Sequence, residues 1–483
     1  MQLSGGDLEY PSAAALAPAE HRLRSGSLGV LAVTFFVVSA AGPLVAMAGG
    51  IPVAMLFGNG AGTPALFLAA TLLLGLFSVG YTAMARHVQD AGAFYSLVRR
   101  GLGERAGAAT ALVALLSYNA LQISLYGMLG SALNALLMPV LHRSLPWWTY
   151  ALVTMTAIAF LGYRRVDLSA KILGVLVACE YIVVLVLDWA IVRHGGPAGL
   201  SARPFEPEVF AMGAPWTGLM LCFSAFLGFE ATTIYSEEAR NPTFTIPVAT
   251  YVSVLMIGAF YTGSTWAVVV GVGVDATLPV LSHLEDPTLL LFQLADRYVG
   301  AGLSQIMRVL FVTSIFAGLL AFHNAIARYF YATGRDRLLP PALGRTHPRF
   351  QSPFVGSLVQ SVLALVSVVL FALCGADPIL TVFTLPSAVA TLGIIALMAT
   401  VSAATLRFFR GRADARHLIR CSALAALLGL TAVAMLAAVH FDVLAGSAQL
   451  TVRLLPVTLL LAAALGALLP ARRPALMLGT DAG

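Results

Sequence analysis

Two glutamates, Glu180 and Glu230, lie inside long apolar runs of the sequence. A charged side chain at the middle of a membrane helix costs about 2.5–3.5 kcal/mol on insertion scales, so it faces a cavity, a partner or an ion path rather than lipid. Glu180 either loads and releases a proton or makes a structural hydrogen bond between helices. Glu230 follows the run Leu219–Leu227 and Gly228. It could serve the same proton chemistry, but capping of backbone N–H groups freed by a helix break is the preferred reading. Asn119, Gln122 and Tyr126 recur at i, i+3 and i+7, one helical face. They either line a pocket for a substrate side chain or bond neighbouring helices. Thr313 and Ser314 offer hydroxyl ligands for a sodium ion, unless they bond their own helix. Glu237, Glu238 and Arg240 suggest an inner-gate charge network with loop arginines, and His323 and Asn324 are expected to pack against cytoplasmic loops. No P-loop, H-E-x-x-H, nucleophile elbow or haem-binding spacing occurs, which argues against an enzyme, a cofactor, a metal centre and ATP-driven transport.

The elements that must position these residues are membrane helices. The chain has 483 residues, 59% hydrophobic and 10% charged, with mean hydropathy +0.88. Soluble domains carry about 25% charged residues. The sequence pI near 9.3 does not point to nucleic acid, because the basic residues sit in short loops between apolar runs. Twelve spans are expected, near 28–56, 63–85, 107–139, 147–163, 170–193, 216–236, 247–273, 302–331, 354–374, 378–405, 418–440 and 452–470. With the N-terminus inside, the interior loops and tails hold 22 of the 28 Lys and Arg. The exterior holds six: Arg143, Arg193, Arg203, Arg297, Arg308 and Arg453. That asymmetry places both termini in the cytoplasm of a plasma membrane, a bacterial inner membrane by composition. Residues 1–26 form a cytoplasmic tail without the apolar core of a cleaved signal, and 471–483 form a second tail. The loop after span seven is either a short surface helix over the outer mouth or solvated coil. The four cysteines show no metal-ligand spacing and read as small core residues.

Two spans are interrupted. Ser39-Ala40-Ala41-Gly42-Pro43 halfway through span one puts small residues before a proline that lacks an N–H and frees carbonyls. Gly228 and Glu230 interrupt span six. Broken helices five spans apart point to an inverted repeat, with 27–193 mirrored by 216–405 and two helices over 418–470 trailing. The breaks then meet near the midplane. Half-helix N-termini suit an anion there, and freed carbonyls suit an ammonium, so the site fits a zwitterion such as an amino acid.

Phe226-Leu227-Gly228-Phe229-Glu230, with Glu237-Glu238-Ala239-Arg240-Asn241-Pro242 and Ile246-Pro247, resembles the sixth-helix signature of the amino acid–polyamine–organocation (APC) permeases. Arg328-Tyr329-Phe330-Tyr331-Ala332-Thr333-Gly334-Arg335-Asp336-Arg337-Leu338-Leu339-Pro340 is similar to that family's segment after helix eight. Ala91-Gly92-Ala93-Phe94-Tyr95 with Gly101-Leu102-Gly103 resembles the one after helix two. The likeness spans roughly residues 25–470. It implies an all-α polytopic protein with the LeuT-like five-plus-five inverted-repeat fold, helices one and six broken and two helices trailing. It also implies that main chain at Ser39, Ala40, Ala41 and Gly42 and at Ser224, Ala225, Phe226, Leu227 and Gly228 holds the substrate, with Phe229 as the closing aromatic. The chain departs from the family where Ser-Ala-Ala-Gly-Pro replaces a Gly-x-Gly run, and where Glu180 takes the slot of a fifth-helix lysine found in some proton-coupled members.

These observations together lead to a secondary active permease for an amino acid or related amine, driven by proton symport. Exchange and sodium coupling are the alternatives, and a non-transporting membrane amine sensor is the rival of another class. The partners are then the small molecule, a proton and the lipid bilayer. Without an acidic residue at the helix-one break in sequence, a neutral substrate is favoured.

Overall fold

The computed structural model describes residues 26, 28–88, 92–164, 170–284, 287–412, 417–444 and 449–469. The two tails, Ala91, Glu285 and Asp286 lie outside the described residues, as does the side chain of Lys171. Among the described residues the chain is helical throughout, with one isolated parallel bridge between Leu28 and Ala239. It opens with α1 (Val30–Ala41), α2 (Pro43–Val45), a π-helical turn (Ala46–Gly50) and α3 (Ile51–Phe57). Next come α4 (Thr63–Ala85), the amphipathic α5 (Ala93–Leu102), α6 (Glu104–Leu141), α7 (Trp147–Arg164) and α8 (Ala170–His194). A short α9 (Pro207–Phe210) precedes α10 (Pro215–Ser224), a 3-10 helix (Phe229–Tyr235) and α11 (Pro242–Val272). The second half continues with α12 (Thr277–His283), α13 (Leu289–Tyr298), α14 (Ala301–Arg335), α15 (Phe354–Leu373) and α16 (Thr384–Phe408). It finishes with α17 (His417–Val439), the short α18 (Phe441–Leu444) and α19 (Leu450–Arg453), and α20 (Pro456–Leu468).

Ten stretches among the described residues are long and apolar enough to cross a membrane, from Val30–Phe57 to Leu450–Leu468. The other two expected spans fall on α7 and on the broken segment Pro215–Tyr235. At 1.5 Å per residue, the 18 residues of α7 extend about 27 Å, close to the hydrocarbon thickness of a bilayer. The chain is a multi-pass membrane protein.

Local chemistry sets where the helices stop. Pro43 lacks an N–H, and Gly42 takes φ +57°, so α1 ends and α2 restarts in a new direction. Pro247 is the sixth residue of α11, inside the helix, and withholds the N–H that would otherwise bond Thr243 O. The loop after α11 folds into α12 and α13 rather than coil. The Leu290, Leu291, Phe292, Leu294 and Ala295 face of α13 is buried, and α13 packs on α8 and α14.

The core gathers around α1, which packs on α8, α11 and α14, with α4 against α11 and α6 against α14 and α16. Apolar side chains of α8 show the division of faces. Val184, Leu187 and Ile191 are fully buried, while Ile182, Leu185, Val186 and Trp189 are exposed where lipid would lie. The cysteines depart from expectation. Only Cys222 is buried, Cys179 is half-buried, and Cys374 and Cys421 are exposed, because α15 and α17 turn much of their surface outward.

Candidate functional site

The two breaks touch. Gly228 has φ +112°, and a Cβ built on it would stand 2.8 Å from Ala40 Cβ and 3.4 Å from Ala41 N. Any side chain at Gly228 would therefore drive the breaks apart, apart from the strain of its backbone. Gly318 of α14 lies on the other side of the first break. A Cβ there would meet Ser39 O at 3.6 Å and Ala40 O at 4.0 Å. Glycines thus let the second break and α14 come close to the main chain of Ser39–Ala41. Tyr261 of α11 donates to Ala41 O at 3.4 Å.

Glu180 reaches the first break from α8. Its Oε2 accepts the Leu44 N–H at 3.2 Å and the Ser314 hydroxyl at 2.7 Å, while Oε1 is buried with no hydrogen-bond partner. One carboxylate oxygen therefore caps the restarted helix, and the other is open. This overturns the ground for a neutral substrate. The fold brings an acidic group to the helix-one break from a helix 136 residues away in sequence. Ser314 spends its hydroxyl on Glu180, and Thr313 bonds its own helix through Leu310 O.

At the second break, α10 ends in a tight turn where Ala225, Phe226 and Leu227 donate to Cys222, Phe223 and Ser224 carbonyls. The Ser224 hydroxyl turns back to Leu221 O. Glu230 Oε2 accepts the Gly228 N–H at 2.9 Å, and Oε1 accepts the Tyr118 hydroxyl at 3.0 Å. Tyr81 donates to Glu230 main-chain O and contacts Thr233 Oγ1 at 2.7 Å. Each break therefore has a buried carboxylate bonded to a main-chain N–H, that of Leu44 just after the first break and that of Gly228 within the second.

The aromatic residues of this break divide. Phe226 packs with Phe67 and Tyr261, and Phe229 with Phe77, which leads through Tyr81 to Phe94. Phe229 is fully buried in that stack.

Gln122 is engaged between helices, and Asn119 is engaged only in part. Gln122 accepts from Gln360 Nε2 of α15 at 2.5 Å and donates to Tyr126 at 3.4 Å. Asn119 Nδ2 bonds Leu115 O in its own helix, leaving Oδ1 without a partner. His323 does not pack on cytoplasmic loops as expected. It is buried, 2.7 Å from Ser357 Oγ of α15, with Gly162 of α7 leaving space for its ring. Residue-by-residue reading missed Tyr81, Tyr118 and Gln360. Tyrosines in apolar helices read as core, and only Tyr118, beside the polar Asn119–Gln122 face, carried a visible signal.

One end of the bundle is tied by ion pairs. Glu238 pairs with Arg328 at 2.6 Å and Glu237 with Arg335 at 2.8 Å. Asp336 binds Arg99 and accepts from Tyr95. Arg328 also lies over the Tyr235 ring. Leu28 N–H donates to Glu238 O, and Arg240 N–H to Leu28 O, pinning the start of α1 to the end of the second break. The partners of Glu237 and Glu238 are arginines of α14, not of a loop, because α14 runs to Arg335, past the expected end at 331. Arg240 contributes its backbone, and its side chain is exposed. The opposite end carries Arg203, bonded to Asp275 through both carboxylate oxygens, which holds that carboxyl below its ordinary range.

Fold and site define a multi-pass helical membrane protein whose centre is a pair of interrupted helices in contact. A family model described as amino acid permease matches residues 28–468, and the chain belongs to that family. It is 27% identical over 313 residues to the branched-chain amino acid permease BcaP of Bacillus subtilis, covering 62% of this chain and 65% of that one. It is 24% identical over 316 residues to the low-affinity putrescine importer PlaP of Escherichia coli, covering 63% and 66%. With the mouse cationic amino acid transporter 4 it shares 34% over 184 residues, 37% of this chain and 27% of that protein. The chain thus spans just under two thirds of the length of the bacterial relatives.

Proposed function

We propose that this protein is a secondary active transporter that carries an amino acid or related amine by alternating access, with proton symport as the driving step. The observation that carries this reading is the contact between the breaks at Gly228 and Ala40. A substrate seated beside that contact meets main chain from both halves of the fold, so moving one half against the other changes which side it can leave from. The recognised group is the amine. Carbonyls of Ser39 and Ala40 and the open oxygen of Glu180 are acceptors gathered at one break, and an ammonium is the ligand that needs only acceptors. The names of the three relatives share that group and differ in the rest of the molecule. Glu180 is the proton carrier in this scheme. Neutralising its carboxylate weakens its hold on Leu44 N–H and Ser314, which loosens α2 from α8 and α14.

The test is uptake of radiolabelled L-leucine and putrescine into proteoliposomes under an imposed inward proton gradient. Accumulation above the outside concentration is expected for at least one of them. Glu180→Gln keeps a neutral carbonyl acceptor at that position, so thermal-shift binding of the same compound should weaken but persist while accumulation falls to background. Uphill uptake by the Gln variant defeats the coupling role. Uptake only into vesicles preloaded with unlabelled compound would instead make the protein an exchanger, and dependence on sodium would replace the proton. Saturable binding without flux would make it a sensor.

A further inference from the structure

A second carboxylate lies in the same helix as Glu180. Asp188 of α8 is 91% buried by the side-chain packing around it, being 9% exposed. Its Oδ2 accepts the Ser264 hydroxyl of α11 at 2.5 Å, and its Oδ1 is buried with no hydrogen-bond partner. The pattern repeats that of Glu180, one oxygen bonded and one open. Between them, Tyr181 packs its ring on Phe260 of α11, 4.2 Å between centroids, and its hydroxyl is also buried without a partner. Tyr181 and Asp188 are seven residues apart and share the face of α8 turned to α11. Glu180 adjoins Tyr181 in sequence and faces the first break. Eight residues of helix place the two carboxylates about 12 Å apart along the axis.

We propose that Asp188 is the outer station of a proton route that runs between α8 and α11, past Tyr181, to Glu180. The proposal rests on the coupling role given to Glu180 above. A proton taken up from the outer side forms the Asp188 O–H. Its onward transfer restores the Asp188 carboxylate and ends as the O–H of Glu180, with no other group changed.

The surroundings contain little that would compete. α1 and α2 carry no titratable side chain, and α11 carries only Tyr251 and Tyr261. α13 brings Asp296, Arg297 and Tyr298, where Tyr298 meets the His194 ring near the end of α8 and donates to Gly271 O. α14 brings Arg308 near its outer end, lying over the Phe292 ring. Its remaining titratable groups, from His323 to Arg335, fall in its inner half. On α8 itself the other such groups are Lys171, Cys179, Arg193 and His194.

A structural role predicts something different. An asparagine could keep the bond to Ser264, so a purely structural Asp188 would tolerate Asp188→Asn. The experiment uses proteoliposomes of the full chain and a step in external pH, followed by time-resolved infrared difference spectroscopy of the protonated-carboxyl stretch. Glu180→Gln assigns the Glu180 band. In Asp188→Asn the Glu180 band should rise at least about tenfold more slowly, the scale of losing a positioned proton-transfer group. Its final amplitude should be unchanged, and Asp188→Glu should restore the rate. A wild-type rate in Asp188→Asn overturns the route through Asp188. If the wild-type protein shows no Glu180 band at all, the coupling role of Glu180 fails first, and this inference with it.

Discussion

At the residue scale the second break turns on who holds Glu230. Its two oxygens take the Gly228 N–H and the Tyr118 hydroxyl, and its main-chain O takes the Tyr81 hydroxyl. The carboxylate therefore works as backbone does elsewhere, completing a helix that glycine has opened. The Tyr118 hydroxyl reaches that carboxylate from α6, a helix distant in sequence. Tyr118→Phe keeps the ring contacts with Phe322 and Tyr329 and leaves Oε1 buried without a donor. That change should cost about 1–3 kcal/mol, read as a lowered unfolding temperature in detergent. Unchanged thermal stability would mean that Oε1 finds another donor and that the tyrosine is packing only. The glutamate was visible in the sequence because a carboxylate in an apolar run is costly. Its donor was not, since Tyr118 is 112 residues away and reads as an ordinary core aromatic.

At the element scale α14 does two jobs. Its middle presents Gly318 and Ser314 to the first break, and its last turns present Arg328 and Arg335 to Glu238 and Glu237. Hydropathy alone ends this helix near 331, because arginines look like loop residues. Carboxylate partners and the faces of Tyr235 and Tyr331 give those guanidiniums a place inside the protein instead. One rigid element thus links the centre of the site to the tied end of the bundle. Arg328→Ala removes a charged donor from a nearly buried Glu238, a change of the kind that costs about 3–5 kcal/mol. The site end that it closes should then open. A cysteine replacing the buried Ser236, with the four native cysteines removed, should react with a maleimide about tenfold faster once Arg328 is alanine, as expected for a closed state losing population. Equal labelling rates would show that the ion pairs do not hold that end shut.

At the scale of the whole molecule, the sequence carries the parts that depend on one segment at a time. Apolar run lengths locate the helices, and Gly42-Pro43 and Gly228 locate the breaks, because solvent transfer and backbone geometry act locally. Contacts such as Glu180 to Leu44 and Gln360 to Gln122 depend on which faces meet, and no local rule supplies that. Orientation is the remaining global property, and here charge and fold can be set side by side. Leu28, Arg99, Arg328 and Arg335 belong to one tied end of the bundle. Arg203 and Asp275 belong to the other, where Trp266 Nε1 also bonds Ser201 O. The first group lies among the 22 Lys and Arg assigned inside, apart from Leu28, and Arg203 is one of the six assigned outside. The positive-inside asymmetry predicts that this tied end, with the start of α1, faces the cytoplasm. Fusions decide it: green fluorescent protein placed after Arg337 should fluoresce, and alkaline phosphatase placed after Arg203 should be active. The reverse pair of results would invert the molecule, move the ion-paired end to the outer side, and turn the Asp188 route toward the cytoplasm.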